Sequence, residues 1–182
     1  MSQRDDTFNG GIQKGETAWD ENSLKLDKLL KNATDILQER FAADTRNSIS
    51  SLRVVKQFSK KDKLKYVGDE CFGFAPDGGA WFLGDKLIAV FEGKKQGTGG
   101  NACERWWDNA STAKYINEDV AYVTFCVGEG AGENQVLDKL RRKAKIMLGE
   151  NYSFHMSTDV NNFSQKDVLN IMTKTLEESI AL

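Results

Sequence analysis

Apolar residues recur at three- and four-residue steps from Ser23 onward. Leu26, Leu29, Leu30, Ala33, Ile36, Leu37 and Phe41 form the stripe, which predicts an amphipathic helix with Asn22 or Ser23 as its cap. Ile49, Leu52, Val54 and Val55 predict a second helix over about 45–57. The period then changes. Cys71–Ala75 and Ala80–Leu83 read as strands, and Leu87–Phe91 is an unbroken apolar run of the kind buried on both faces of a sheet. Gly84-Asp85 predicts a tight reversal between the last two. Val120–Val127 is the most strand-like run in the chain, and Tyr152, Phe154 and Met156 alternate as a short strand. Helical spacing covers about 101–117, with Trp106, Trp107, Ala110, Ala113, Tyr115 and Ile116 as its apolar face. It returns over 133–148, through Val136, Leu137, Leu140, Ala144, Ile146 and Met147, and again from about Ser164. The fold expected is α/β, a central mixed β-sheet flanked by helices. The Val120–Val127 strand should run parallel to the Leu87–Phe91 strand, because a helix crosses between them.

Residues 1–182 are read as one domain, of a size that supports a single core. Residues 1–20, rich in glycine and charge, read as an arm or loop anchored by Phe8, Ile12 and Trp19. Phe58–Gly68 is a lysine-rich linker. The glycine-rich 128–132 lacks the GxxxxGK[ST] spacing of a phosphate loop and reads as a turn, so no nucleotide cofactor is expected.

Composition is that of a water-soluble globular protein, 40% hydrophobic and 29% charged. Net charge is −2, from 25 basic and 27 acidic side chains, which excludes an indiscriminately basic nucleic-acid binder. Basic residues nevertheless cluster at Lys56–Lys65, at Lys94-Lys95 and at Arg141–Lys145, and an acidic chain can carry a positive cleft. Cys71, Cys103 and Cys126 are widely spaced and form neither a CxxC pattern nor a disulfide framework, which predicts a reduced, cytoplasmic setting. No apolar signal region or run of membrane-spanning length is present, so no membrane partner is expected.

The candidate chemistry lies between Pro76 and Arg105. Asp77 precedes Gly78-Gly79, and Glu92 and Lys94 end the Leu87 strand two positions apart, so they should project to one side. The predicted hairpin returns Glu92 to the neighbourhood of Asp77. Two carboxylates with an ammonium beside them suit Mg²⁺, which takes oxygen ligands and keeps several waters. The lysine can orient a water for attack on a phosphodiester. Gly100-Asn101-Ala102-Cys103-Glu104-Arg105 follows closely. Asn can bond adenine bidentately in the major groove, Glu accepts from exocyclic amines, and Arg donates to purine acceptors.

PD…ExK followed in order by GNAxER resembles the EcoRI/MunI-type type II restriction endonucleases of the PD-(D/E)XK nuclease superfamily, strongly over about thirty residues. The resemblance implies Mg²⁺ on Asp77, Glu92 and the Gly93 backbone carbonyl, with Lys94 serving the attacking water. It implies readout of the inner pairs of an AATT core by Gly100, Asn101, Ala102, Glu104 and Arg105. Gly93 stands where alanine or isoleucine is usual, and should serve equally because only its carbonyl is used. Thr98 and Gly99 stand where an arginine would read an outer pair, which leaves the outer bases of the site open. A palindromic double-stranded DNA target implies a homodimer. The alternatives are a repair or structure-specific nuclease of the same superfamily, sharing the metal site without the base readout, or a non-catalytic DNA-binding module.

Overall fold

The computed structural model describes residues 9–44, 51–56, 75–97 and 102–181. Helix α1 (Asn9–Ala42) leads to strand β1 (Leu52–Val55), hairpin β2 (Ala80–Leu83) and β3 (Lys86–Lys95), helix α2 (Ala102–Ile116) and strand β4 (Ala121–Val127). Helix α3 (Val136–Leu148), strand β5 (Tyr152–Ser157) and helix α4 (Gln165–Ala181) complete the order. The sheet order is β1-β2-β3-β4-β5. β1, β2 and β3 are antiparallel neighbours, whereas β3, β4 and β5 are parallel. The mixed sheet and the parallel β3–β4 pair agree with the sequence reading.

Two apolar cores sandwich the sheet. On one face Leu26, Leu30, Ala33 and Leu37 of α1 and Val168, Met172 and Leu176 of α4 pack on Trp81, Phe91, Val123 and Phe125. On the other, Trp106, Ala110 and Ala113 of α2 and Leu137, Leu140 and Ala144 of α3 pack on Phe82, Val90, Tyr122 and Cys126. β3 is therefore covered on both faces, which explains its uninterrupted apolar run.

Three expectations need correction. Helix α1 begins at Asn9, inside the segment read as an arm, and neither Asn22 nor Ser23 caps it. Gly10, Gly11 and Gly15 obscured this start, but extending an existing helix costs far less than nucleating one. Residues 1–8 lie outside the described residues. Leu52–Val55 is an edge strand instead of a helix, with Leu52 opposite Leu83 and Val55 opposite Ala80. Ile49, Leu52 and Val55 happen to fall at helical steps, and cross-strand pairing overrides that period. Tyr115, Ile146 and Met147, counted toward apolar helix faces, are exposed. Tyr115 lies two positions beyond Ala113, away from the Trp106–Ala110–Ala113 stripe. The strand expected at 71–75 and the lysine-rich linker fall largely outside the described residues.

Candidate functional site

The Pro76–Gly79 turn sets the geometry. The Gly79 N–H donates to the Pro76 carbonyl at 2.9 Å, and Gly79 adopts φ +85°, which favours glycine. Gly78 N–H donates to the Phe91 carbonyl at 2.9 Å, and Phe91 N–H donates to the Gly79 carbonyl at 3.1 Å. The turn is thus stitched to β3 and carries Asp77 beside Gly93. The Thr34 hydroxyl of α1, 2.9 Å from the Gly78 carbonyl, braces it from below. The Gly93 N–H donates to Asp77 Oδ2 at 3.0 Å. In a strand a residue's N–H and C=O point to the same side, as both do at Phe91, so the Gly93 carbonyl faces this same edge.

Glu92 and Lys94 project to the opposite face of β3, toward α2. Lys94 Nζ lies 2.6 Å from Glu92 Oε1, and both side chains are largely buried. Asn109 Nδ2 of α2 approaches the same oxygen at 3.4 Å, the long end of hydrogen bonding. Glu92 Oε2 is buried and, among the described residues, has no hydrogen-bond partner. Asp77, Glu92, Lys94, Arg105, Asp108 and Asn109 line one cleft of about 440 Å³. The sequence-predicted trio therefore converges.

Both carboxylates are disfavoured as anions by their surroundings. Burial, first, and then the Asp77 charge raise the Glu92 pKa, while Lys94 lowers it. Asp77 keeps surface open to the cleft, yet the protein around it and the charge of Asp27 raise its pKa against Lys95, Lys94 and the Gly93 N–H. Asp27 is itself engaged by Lys95 Nζ at 2.6 Å, so α1 reaches the edge of the site. No group of three or more His, Cys, Asp or Glu side chains placed to hold a metal ion occurs among the described residues. The set here is two carboxylates, one of them with a buried orphan oxygen, and a carbonyl directed to the same edge. Such oxygen donors fit a hard cation that retains water, Mg²⁺ above all.

Of the second predicted group, Gly100 and Asn101 lie outside the described residues, and Ala102 opens α2. Glu104 and Arg105 are exposed in the first turns of α2, and Arg105 reaches the cleft. Trp106, fully buried, fixes this helix by donating from Nε1 to Thr124 Oγ1 at 2.9 Å. It belongs to the core, as expected. The turn after β4 supports the same region: buried Gly130 donates its N–H to the Gln96 carbonyl at 2.8 Å. The basic run of α3 is largely spoken for. Arg141 and Arg142 pair with Asp138 at 2.7 and 3.2 Å, and Lys143 lies 5.1 Å from the Trp107 ring centroid.

Asp108 and Asn109 were missed by sequence reasoning. Asn109 lies one helical turn beyond Arg105, a spacing that could have placed it on the same face. Comparisons with protein-family models, with curated proteins and with solved structures find no match for this chain.

Proposed function

We propose that this protein is a type II restriction endonuclease, cleaving double-stranded DNA with Mg²⁺ at a palindrome containing AATT. The observation that carries the reading is the convergence of Asp77, Glu92 and Lys94 on one cleft, with Glu92 Oε2 buried and unpartnered. A buried carboxylate oxygen without a donor costs free energy unless a cation or water satisfies it. Asp77, Glu92 and the Gly93 carbonyl would hold Mg²⁺, which would supply positive charge against the developing negative charge of phosphodiester hydrolysis. Lys94, restrained by Glu92 at 2.6 Å, orients the water that attacks phosphorus. Arg105, the last residue of the GNAxER segment, lines the same cleft as the three reacting groups. Readout by Gly100, Asn101, Ala102, Glu104 and Arg105 supplies the sequence preference that separates this reading from a repair nuclease. Cleavage ends are 5′-phosphates with a 5′ overhang.

Incubation of supercoiled plasmid with and without Mg²⁺ tests the reading. Wild type is expected to linearise plasmids carrying the site only when Mg²⁺ is present. Asp77→Asn and Lys94→Ala should retain the melting temperature within a few degrees and lose cutting by at least about a hundredfold. Folded wild-type protein that leaves every plasmid intact with Mg²⁺ would reduce the chain to a binding module.

A further inference from the structure

Two buried side-chain polar atoms lack a hydrogen-bond partner among the described residues, Glu92 Oε2 and the Tyr122 hydroxyl. They are neighbours in the sheet. Tyr122 of β4 is in register with Val90 of β3, and Thr124 with Glu92, so Tyr122 and Glu92 lie on adjacent strands and face α2. Burial, and then the Glu92 charge, push the Tyr122 pKa well above its ordinary value, which places the phenol, as a neutral donor, within the field of the carboxylate. Tyr122 is also held rigidly. Its ring stacks on Tyr152 with centroids 5.4 Å apart and an interplanar angle of 10°, and the Trp106 ring meets it edge-on at 5.6 Å.

One atom has a proton to give and the other has lone pairs to fill, yet they do not bond directly. Buried polar atoms left in this state are rare, and a bound water between two such groups is the usual resolution. We propose that Tyr122 is a positioning residue for Glu92: its hydroxyl donates, through one bound water, to Glu92 Oε2 and holds that oxygen ready for a divalent cation. The metal part of this inference rests on the nuclease reading; the bridge itself does not. The role differs from that of Lys94, which pairs with Oε1 of the same carboxylate at 2.6 Å. Groups that orient a metal ligand from behind affect affinity without touching the metal.

Tyr122→Phe deletes the hydroxyl and keeps the ring. Two measurements on the full chain test the proposal: the melting temperature without divalent metal, and Mn²⁺ affinity by calorimetry. Tyr152→Phe is the control, because the Tyr152 hydroxyl donates to the Ala110 carbonyl at 3.1 Å and not to Glu92. A bridged hydroxyl predicts that Tyr122→Phe melts about 2–4 °C lower and binds Mn²⁺ about 10–100-fold more weakly. Tyr152→Phe should lose stability alone. An unchanged or higher melting temperature for Tyr122→Phe overturns the bridge, since removing a truly orphaned hydroxyl relieves the fold. A lower melting temperature with wild-type Mn²⁺ affinity overturns the positioning role. If wild type takes up no Mn²⁺, the nuclease reading and the positioning role both fall, and the metal-free melting temperature still decides the bridge.

Discussion

Gly93 shows how much the site depends on a single missing carbon. The sequence reading treated glycine there as equivalent to the usual alanine, because a backbone carbonyl needs no side chain. In the fold, a Cβ at Gly93 would stand 2.8 Å from Asp77 Oδ2 and 3.1 Å from Leu30 Cδ1. Asp77 occupies the space a side chain would need. Gly93→Ala should therefore displace the Asp77 carboxylate, a flexible group, at small cost in stability but with at least about a tenfold loss of Mg²⁺-dependent cleavage; calorimetric melting beside a cleavage time course checks both. Glu92 gives a second test at this scale. Its pKa is raised above the ordinary 4.5, so the folded state binds that proton more tightly than the unfolded chain does. The stability it contributes is full below about pH 4.5 and is lost as pH rises through the folded-state pKa. Without divalent metal, the melting temperature of Glu92→Gln relative to wild type should climb between pH 4.5 and pH 7. A difference that stays flat with pH would mean the carboxylate is not strained. The acidic pair and the lysine were legible from sequence because chemistry concentrates in few residue types. The bracing by Thr34 and Asn109 was not, because it depends on contacts between segments far apart in the chain.

At the scale of elements, legibility followed how locally each element is determined. β3 declared itself through an unbroken apolar run, since both its faces are covered. Helix α2 followed from a stripe in which Trp106, Ala110 and Ala113 all lie at zero exposure. β1 did not, because four residues carry too little period and only pairing with β2 makes them a strand. The glycine-rich 128–132 reads from sequence as a turn, and in the fold its Gly130 locks the end of β3 through the Gln96 carbonyl. A Cβ on Gly130 would lie 2.6 Å from the Gly97 carbonyl oxygen and 2.8 Å from that of Gln96. Backbone must move to admit it, so Gly130→Ala should destabilise the fold by about 1–3 kcal/mol, read as a lower denaturation midpoint. Trp106→Phe breaks the bond to Thr124 and leaves its hydroxyl buried without a donor. Chemical denaturation should show a loss of about 1–3 kcal/mol.

Across the whole molecule, the sheet divides the chain into two cores, and the candidate site lies at the C-terminal end of β3 between α1 and α2. Net charge is −2 overall, and the α3 arginines are taken up by Asp138. No helix among the described residues is long and apolar enough to cross a membrane. If the target is a palindrome, two copies must meet it by symmetry. Sedimentation with a palindromic duplex in Ca²⁺ should then show two chains per duplex, and one chain per duplex would contradict the homodimer. The proposed activity is cleavage of DNA at one defined sequence, with the chemistry supplied by Asp77, Glu92 and Lys94. Sequencing the ends produced from a random-sequence duplex library with Mg²⁺ tests it most directly. Ends that collapse onto one palindrome containing AATT, with 5′ overhangs, and that vanish with Lys94→Ala are expected. Ends scattered without sequence preference, or unchanged by Lys94→Ala, would contradict it.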